Sequence, residues 1–233
     1  IFNTSNKAVK KISLKTKLLS DKYLNKKLKF LKSNARLIKK TLFCSVVPLS
    51  FKKIKTYLEI NYRIKCKELK QINLTNLINI RVNKKQIGSD RLANAISVID
   101  NKFNYIVLDF GTATTFDVIN KNKYLGGIIS PGVNLSLESL SLKASLIPNI
   151  NLSKIKKVIG KNTKSAVRAG FYWGYAGLID NIIKLIIKQT GKSFKIIFTG
   201  GLAHLFKDSI SSKVKVNRDL TINGVLRASK NLK

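Results

Sequence analysis

The chain has 233 residues, and its 45 Lys and Arg against 11 Asp and Glu give a formal net charge of +34. Hydrophobic residues make up 44% of the sequence, which is enough to bury a core and excludes an intrinsically disordered polycation. The length suits one large domain or two small ones.

The basic excess consists mostly of lysine, since only seven of the 45 basic residues are Arg. A protein that reads bases usually needs Arg, whose planar fork makes bidentate contacts. The lysines are scattered through every segment, which is typical of codon bias expressed on a solvated surface. We therefore predict no specific nucleic-acid partner and no membrane partner, and a basic nucleic-acid-binding module is the least favoured alternative.

Cysteine and histidine are too rare for several kinds of site. Cys44 and Cys66 are too few and too widely spaced for a disulfide framework or a zinc site, and Cys44 lies in an apolar run typical of a buried thiol. His204 is the only histidine, which leaves little for a His-based metal cluster or a Ser-His-Asp triad. With no visible signal peptide and no apolar run of about 18–20 residues, we expect a cytoplasmic protein.

The first hundred residues carry weak structural signals. In chain order they predict a strand pair before residue 20, a helix over 20–32, a buried strand over 40–47 ended by Pro48, and a helix over 50–57. The apolar spacing from Leu92 to Ile99 is clearer and predicts a helix. Asp90 lies at its start, where the helix dipole favours a carboxylate.

The second half has a much more regular pattern. It predicts a strand over 105–109, a turn over 111–115 leading into a strand over 116–119, a hairpin loop over 120–123, a strand over 124–129, a helix opening near Pro131, a long helix over 163–188, a strand over 194–198 and a helix after Gly201. This alternation of strands and helices predicts an α/β fold. The natural domain boundary precedes the strand at 105–109.

The strongest motif follows that strand and reads Asp109-Phe-Gly111-Thr112-Ala-Thr-Thr115. Gly111 lets the backbone approach a ligand closely, and Thr112 with its neighbouring N–H groups suits phosphate oxygens. Asp109 suits a cation that neutralises phosphate charge. An ordinary hairpin that begins with a turn-forming Asp is the alternative.

Two weaker motifs lie elsewhere. Thr199–Gly201 separates a predicted strand from a helix, and glycines in that place suit a nucleotide base or phosphate. Gly88–Arg91 sets an acid beside a base at a helix start, where Asp90 can accept a proton from a hydroxyl and Arg91 can bind an anionic group. A capping Asp with a surface Arg is the alternative for the second motif.

In this order and with these flanks, the three motifs resemble the type III pantothenate kinases, members of the acetate kinase–Hsp70–actin superfamily. The resemblance extends from about Ser45 to Phe206, and its further segments are Ser45–Pro48, Tyr124–Gly132, Ala144–Pro148, Ile159–Thr163, Ser165–Ala166 and Gly170. It implies two ribonuclease-H-like (actin-like ATPase) α/β domains with mixed sheets flanked by helices. We expect them over 1–95 and 96–233, with ATP between them.

The resemblance also implies an activity, ATP-dependent phosphorylation of pantothenate to 4′-phosphopantothenate, the first step of coenzyme A biosynthesis. It implies a monovalent cation, potassium or ammonium, and a divalent cation such as magnesium. A homodimer is implied as well. The apolar helix over 163–188 is a candidate for the dimer interface, although burial in its own domain explains the same stripe equally well.

Individual residues inherit roles from the family's motifs. Asp90 matches the proton acceptor for the pantothenate hydroxyl, and Asp109 matches the ligand of the monovalent cation. The substrate-binding residues are Gly88, Ser89, Asp90, Arg91 and Thr163, and the ATP-binding residues are Gly111, Thr112, Gly200 and Gly201. Two positions depart from the family: Ser89 stands where Ala is usual, and Arg81 stands where many members place a Tyr that touches pantothenate.

A third departure concerns the start of the chain. The family begins with a strand and an Asp-x-Gly-Asn-Thr loop around the ATP phosphates, which does not occur here, and the sequence contains no Met. We expect that Ile1 is not the native start and that activity belongs to the longer chain. A non-catalytic or regulatory relative of the Bvg accessory factor type is the alternative. An upstream in-frame Met followed by the loop supports the kinase, whereas a stop codon contradicts it.

Overall fold

The computed structural model describes residues 1–232, which form two compact units. The first unit comprises 1–76, 87–97 and the residues from Thr221 onward, and the second comprises 77–86 and 98–220. The helices are α1 (Asp21–Lys27), α2 (Leu31–Asn34), α3 (Pro48–Tyr62), α4 (Ser89–Val98), α5 (Val133–Lys143), α6 (Thr163–Thr190), α7 (Ala203–Phe206) and α8 (Leu220–Ser229). The strands are β1 (Leu42–Phe43), β2 (Lys67–Glu68), β3 (Asn79–Ile80), β4 (Asn104–Phe110), β5 (Ala113–Asn120), β6 (Lys123–Pro131), β7 (Lys195–Gly200) and β8 (Val214–Val216).

The two units differ from the predicted domains 1–95 and 96–233 in two segments. Residues 77–86 contribute β3 to the sheet of the second unit, and α8 lies almost entirely in the first unit. The predicted boundary itself falls inside α4, close to the point where the units change. The division into 1–95 and 96–233 therefore stays a prediction about domains.

The first unit has little regular sheet. Strands β1 and β2 pair in parallel over two residues each. Its apolar core joins α1, α2 and α3 with the segment before β2, and the buried members are Leu24, Leu28, Leu31, Tyr57, Leu58, Ile64 and Cys66. The Tyr57 hydroxyl donates a hydrogen bond to Asn25 Oδ1 at 2.7 Å, which ties α3 to α1.

Several predictions for the first unit are wrong in extent. Within residues 1–20 the only strand-like pairing is an isolated bridge between Phe2 and Ala8. The strand predicted over 40–47 shrinks to β1, because its short parallel partner β2 offers hydrogen bonds to only two residues. The predicted strand end at Pro48 is also wrong, because β1 already ends at Phe43. Pro48 occupies the first turn of α3, where a missing N–H costs nothing.

The second unit is built on a six-stranded mixed sheet with the order β3-β6-β5-β4-β7-β8. Strands β4, β5 and β6 form an antiparallel meander, and β7 and β8 follow in parallel beyond β4. Three antiparallel strands followed by two parallel ones is the ribonuclease-H-like arrangement. The predicted α/β fold with a mixed sheet flanked by helices is confirmed.

Helix α6 covers one face of this sheet. Its buried side chains are Ala169, Tyr172, Ala176, Ile179, Ile183 and Ile186, and they pack on Ile106, Leu108, Phe116 and Phe198 of the sheet. Asn162 caps the start of the helix, and Gly191 ends it in a left-handed conformation at φ +63°. Burial within its own unit therefore accounts for this stripe. Within residues 1–232, no helix is both long and apolar enough to cross a membrane.

Candidate active site

Asp90 lies in the first turn of α4 and is half buried. Its Oδ1 accepts a hydrogen bond from the backbone N–H of Arg91 at 2.8 Å, so the backbone orients the carboxylate. The side chain folds back over Gly88, where an added Cβ would collide with Oδ1. Glycine at position 88 is therefore needed for this carboxylate orientation, and the predicted residues Gly88, Asp90 and Arg91 lie together.

Ser89 begins α4 and is 2% exposed. Its hydroxyl donates a hydrogen bond to Glu68 Oε1. The other oxygen of that carboxylate, Oε2, accepts the backbone N–H of Lys70 at 2.6 Å, and Gln71 Oε1 accepts the N–H of Glu68 at 3.0 Å. Glu68 was not predicted as a site residue. The capping pattern Glu68-x-x-Gln71 was the available signal, but it does not reveal the contact with Ser89.

The rest of α4 is held by α8 within the first unit. The Thr221 hydroxyl donates to Asn94 Oδ1 at 2.7 Å, and Arg227 Nη1 donates to the carbonyl of Ile96 at 3.1 Å. Gly224 lies directly against the backbone of Ala93, where no side chain would fit. Helix α4 is thus fixed along its length by residues more than 120 positions away in sequence.

In the second unit, Asp109 lies near the end of β4, which pairs with β5 on one side and β7 on the other. It stands in register with Thr115 and Thr199, so the three side chains share one face of the sheet. The Thr115 hydroxyl is buried and has no hydrogen-bond partner among the described residues. A carboxylate beside an unsatisfied hydroxyl oxygen is a suitable pair of ligands for a cation.

Gly200 packs directly against Asp109 and Phe110. It has φ +88°, and a Cβ built there would lie 2.7 Å from Asp109 Oδ1 and 2.6 Å from the backbone N of Phe110. The next residue, Gly201, donates its N–H to the Phe110 carbonyl at 3.1 Å. The structure therefore brings the predicted Thr199–Gly201 and Asp109–Thr112 segments together, and no other residue type fits position 200.

Gly111 and Thr112 form the whole connection between β4 and β5. The predicted turn over 111–115 is wrong in length, because Ala113 to Thr115 already pair with β6. The Thr112 carbonyl accepts the N–H of Gly132 at 3.0 Å, which places the start of α5 beside the connection.

These elements border an open cavity of about 410 Å³. It is lined by Phe110, Gly111, Thr112, Asn134, Leu135, Glu138, Gly201 and Leu202. Three of the four predicted ATP-binding residues line it, and Gly200 precedes Gly201. Asn134, Leu135 and Glu138 were not predicted. Their spacing along α5 places them on one helix face, which the sequence could have shown. That this face borders the cavity follows from the contact of Gly132 with Thr112, which only the structure shows.

Thr163 lies at the first position of α6 and is exposed. Asn162 precedes it as a cap, and Asn162 Oδ1 accepts the N–H of Ser165 at 2.9 Å. Thr163 is not among the residues that line the cavity. Arg81, where many members of the family place a Tyr, is also exposed, and its backbone N–H donates to the Tyr124 carbonyl at 3.0 Å.

A second buried carboxylate lies on the same strand as the motif. Asp117 on β5 is 0% exposed, and its Oδ1 accepts the hydroxyl of Tyr124 at 2.6 Å. No role was predicted for Asp117. The contact joins β5 to β6 inside the unit.

Side chains that commonly bind metal ions do not form a cluster in the described part of the chain. Across residues 1–232 there is no group of three or more His, Cys, Asp or Glu placed to hold a metal ion. Asp109 with its neighbouring hydroxyl fits a monovalent cation completed by other oxygen ligands.

The chain was compared with known families and proteins. The family model described as type III pantothenate kinase matches residues 2–185. A type III pantothenate kinase from Pelagibacter ubique is 58% identical over 229 residues, which is 98% of this chain and 92% of the relative. One from Acidiphilium cryptum is 46% identical over 145 residues, covering 61% of this chain and 54% of the relative.

Among solved structures, a Baf family transcriptional activator from Campylobacter jejuni aligns with a TM-score of 0.57 at 20% identity, covering 87% of this chain and 86% of the other. At that identity the likeness supports the fold alone. The family model and the Pelagibacter relative confirm the predicted family and the predicted enzyme class, a kinase. This chain therefore belongs to the type III pantothenate kinase family.

Proposed function

We propose that this kinase transfers the terminal phosphoryl group of ATP to the primary hydroxyl of pantothenate, with Asp90 as the proton acceptor. The reaction, ATP-dependent pantothenate phosphorylation at the start of coenzyme A biosynthesis, follows from membership of the family. The observation that carries the role of Asp90 is its oriented carboxylate at the start of α4.

Phosphoryl transfer requires the protein mainly to position the reactants and to balance their charge. Phosphoryl transfer passes through a loose transition state, so a carboxylate within reach of the attacking hydroxyl suffices as base. One oxygen of Asp90 is tied to the Arg91 N–H, which leaves the second for the substrate hydroxyl. Arg91 supplies positive charge for the pantothenate carboxylate. Gly88 and Ser89 are proposed as part of the same substrate-binding segment, and Thr163 of the second unit is proposed independently as a substrate contact.

The cavity of the second unit is the proposed ATP subsite. Its glycines admit the nucleotide closely, and Thr112 offers a hydroxyl to phosphate oxygens. The start of α5 adds N–H groups and the positive end of a helix dipole. Gly200 belongs to this subsite as the residue that shapes it beside Asp109.

Asp109 and the Thr115 hydroxyl are the proposed ligands of a potassium or ammonium ion. The bound cation supplies positive charge near the transferring phosphoryl group. Support comes from the buried Thr115 oxygen, which lacks a partner among the described residues and stands in register with Asp109. Magnesium is proposed to enter with ATP.

A homodimer in the cytoplasm is also proposed. Large apolar side chains are exposed at the end of α5 and in the segment between α5 and α6. They are Leu142 at 78% in α5, and Leu146 at 89%, Val158 at 67% and Ile159 at 84% in the segment that follows. A second copy of the chain would cover them, and they extend the predicted interface helix at its start. Neither Cys44 nor Cys66 forms a disulfide, which agrees with a reducing compartment.

The test is a coupled assay of 4′-phosphopantothenate formation by the full-length protein as its gene encodes it. We expect turnover with potassium or ammonium and none with sodium alone. Asp90→Asn should lower kcat about 10²–10⁴-fold, because the base is lost, while calorimetry shows unchanged ATP binding.

Asp208→Asn is the matched control, since Asp208 is an exposed aspartate paired with Lys154 at 3.2 Å. It should leave kcat unchanged. Full turnover in Asp90→Asn would refute the assigned base. Absence of product from the wild-type protein under every cation would refute the kinase activity and favour the regulatory alternative.

A further inference from the structure

We propose that Glu68 is a positioning residue for Asp90 and acts through the hydroxyl of Ser89. The inference rests on the proposed function in one respect, the role of Asp90 as base. It adds a residue from a different segment to the machinery of the reaction. It also gives the Ser89 hydroxyl a function that an alanine at this position cannot perform.

The contact lies at the end of α4 that carries the base. Ser89 is the first residue of the helix and Asp90 the second, so the Ser89 backbone sets the direction of the Asp90 side chain. The Ser89 hydroxyl donates to Glu68 Oε1, and Ser89 is almost wholly buried. Because Ser89 is only 2% exposed, loss of this partner would leave a buried polar group unsatisfied.

Glu68 is itself held rigidly. Its Oε2 accepts the Lys70 N–H at 2.6 Å, and its own N–H donates to Gln71 Oε1 at 3.0 Å. Both contacts belong to a capping box on the short 3₁₀ turn Leu69–Gln71. The adjoining strand β2 fixes the backbone of Glu68 by pairing with Phe43 of β1. A fixed carboxylate therefore anchors the start of α4.

The other supports of α4 act further along the helix. Asn94 and Ile96 receive their contacts from α8 one to two turns beyond Asp90. They fix the helix axis, but the first turn of any helix frays most easily because its N–H groups lack helical partners. The Glu68–Ser89 contact is the support at that turn, where a small displacement of the base reduces turnover strongly.

The test separates positioning from stability with two single variants at Ser89 and one double variant. Ser89→Ala should lower kcat about tenfold with an unchanged KM for ATP, and Ser89→Thr, which keeps the hydroxyl, should restore most of it. Ser89→Ala with Glu68→Leu replaces both polar partners by apolar groups. We expect the midpoint of thermal unfolding to recover toward the wild-type value while kcat stays low.

A spectroscopic measurement supports the kinetics. In Ser89→Ala the backbone amide of Arg91, which donates to Asp90 Oδ1, should exchange its hydrogen at least tenfold faster than in the wild type. Ser97→Ala is the matched control, a half-buried serine of the same helix. It should change neither the Arg91 exchange rate nor kcat.

Each outcome decides between two explanations. Wild-type kcat in Ser89→Ala, or recovery of kcat together with stability in the combined variant, would overturn the proposal. If Glu68→Leu prevents folding, the comparison of Ser89→Ala with Ser89→Thr still decides. Failure of the base assignment is distinct, because it appears as turnover in Asp90→Asn rather than in the Ser89 variants.

Discussion

In the second unit, Asp109, Thr112 and Gly201 lie where neighbouring strands of one sheet end, whereas in the first unit Asp90 begins a helix that side chains from other segments hold in place. The first arrangement follows from strand register, which a backbone hydrogen-bond ladder sets over seven paired residues between β4 and β5. The second depends on a few side-chain contacts. The comparison teaches that sheet topology can place the proposed ATP-binding groups while local polar contacts place the proposed base.

The largest expected effect breaks the arrangement at the strand ends. Gly200→Ala should lower the free energy of unfolding by about 3 kcal/mol, because the residue has positive φ and its Cβ would meet the backbone of Phe110. ATP binding should be lost with it. Urea unfolding and calorimetry measure both.

Gly174→Ala is the control for that substitution, since Gly174 lies within α6 with no neighbouring atom within 4 Å of a built Cβ. It should raise the free energy of unfolding by about 0.5–1 kcal/mol through helix propensity. Equal stability losses in the two variants would contradict the steric argument.

A smaller effect is expected from the helix supports of the first unit. Thr221→Val removes the hydroxyl that donates to the buried Asn94 and should lower the free energy of unfolding by about 1–2 kcal/mol. Denaturant unfolding measures the loss. If turnover falls much more in Thr221→Val than in Ser89→Ala, the base depends on α8 more than on Glu68.

The smallest expected effect is a pH dependence of stability that arises from Asp100, shortly before β4. Partial burial raises the pKa of Asp100, but hydrogen bonds from the Tyr105 hydroxyl and the Phe103 and Lys102 N–H groups outweigh it and hold the pKa below its usual value. A lowered folded-state pKa stabilises above the unfolded value, and this contribution is lost as pH falls through the folded value. Because Asp100 is exposed, the contribution should be small.

Tyr105→Phe removes the strongest of these donors, and its loss of stability relative to the wild type should diminish below about pH 4. Unfolding measured at several acidic pH values checks the direction. A difference between the two proteins that grows as pH falls would contradict the assignment.

The sequence predicted the second unit far better than the first, for physical reasons. Strands β4 to β7 are long and apolar, so periodicity and turn residues sufficed to predict them. The proximity of Asp109 and Gly200 came only from the structure. The strands of the first unit are only two residues long and lie in lysine-rich segments. They are too short to show the alternation of apolar and polar residues by which a strand is recognised.

Candidate site residues divide differently, into those that a local motif reveals and those that only tertiary packing brings to the site. Gly111 and Gly201 were predicted because a glycine that follows a strand lets the backbone approach a ligand closely. Thr112 was predicted because its hydroxyl suits phosphate oxygens. Glu68 and Glu138 were not, since each reaches its place only through tertiary packing: Glu68 through the buried hydroxyl of Ser89, and Glu138 through the docking of α5 beside Thr112. A charged residue alone carries no such signal.

The buried thiol of the first unit has a consequence for handling the enzyme. Burial, reinforced by the nearby charge of Glu59, raises the pKa of Cys66 to about 11, and its thiol donates to the Ile64 carbonyl at 3.4 Å. At neutral pH about one molecule in ten thousand then carries the reactive thiolate at this position. Alkylating reagents and mild oxidants should therefore spare Cys66, and a label placed on the protein should attach at Cys44.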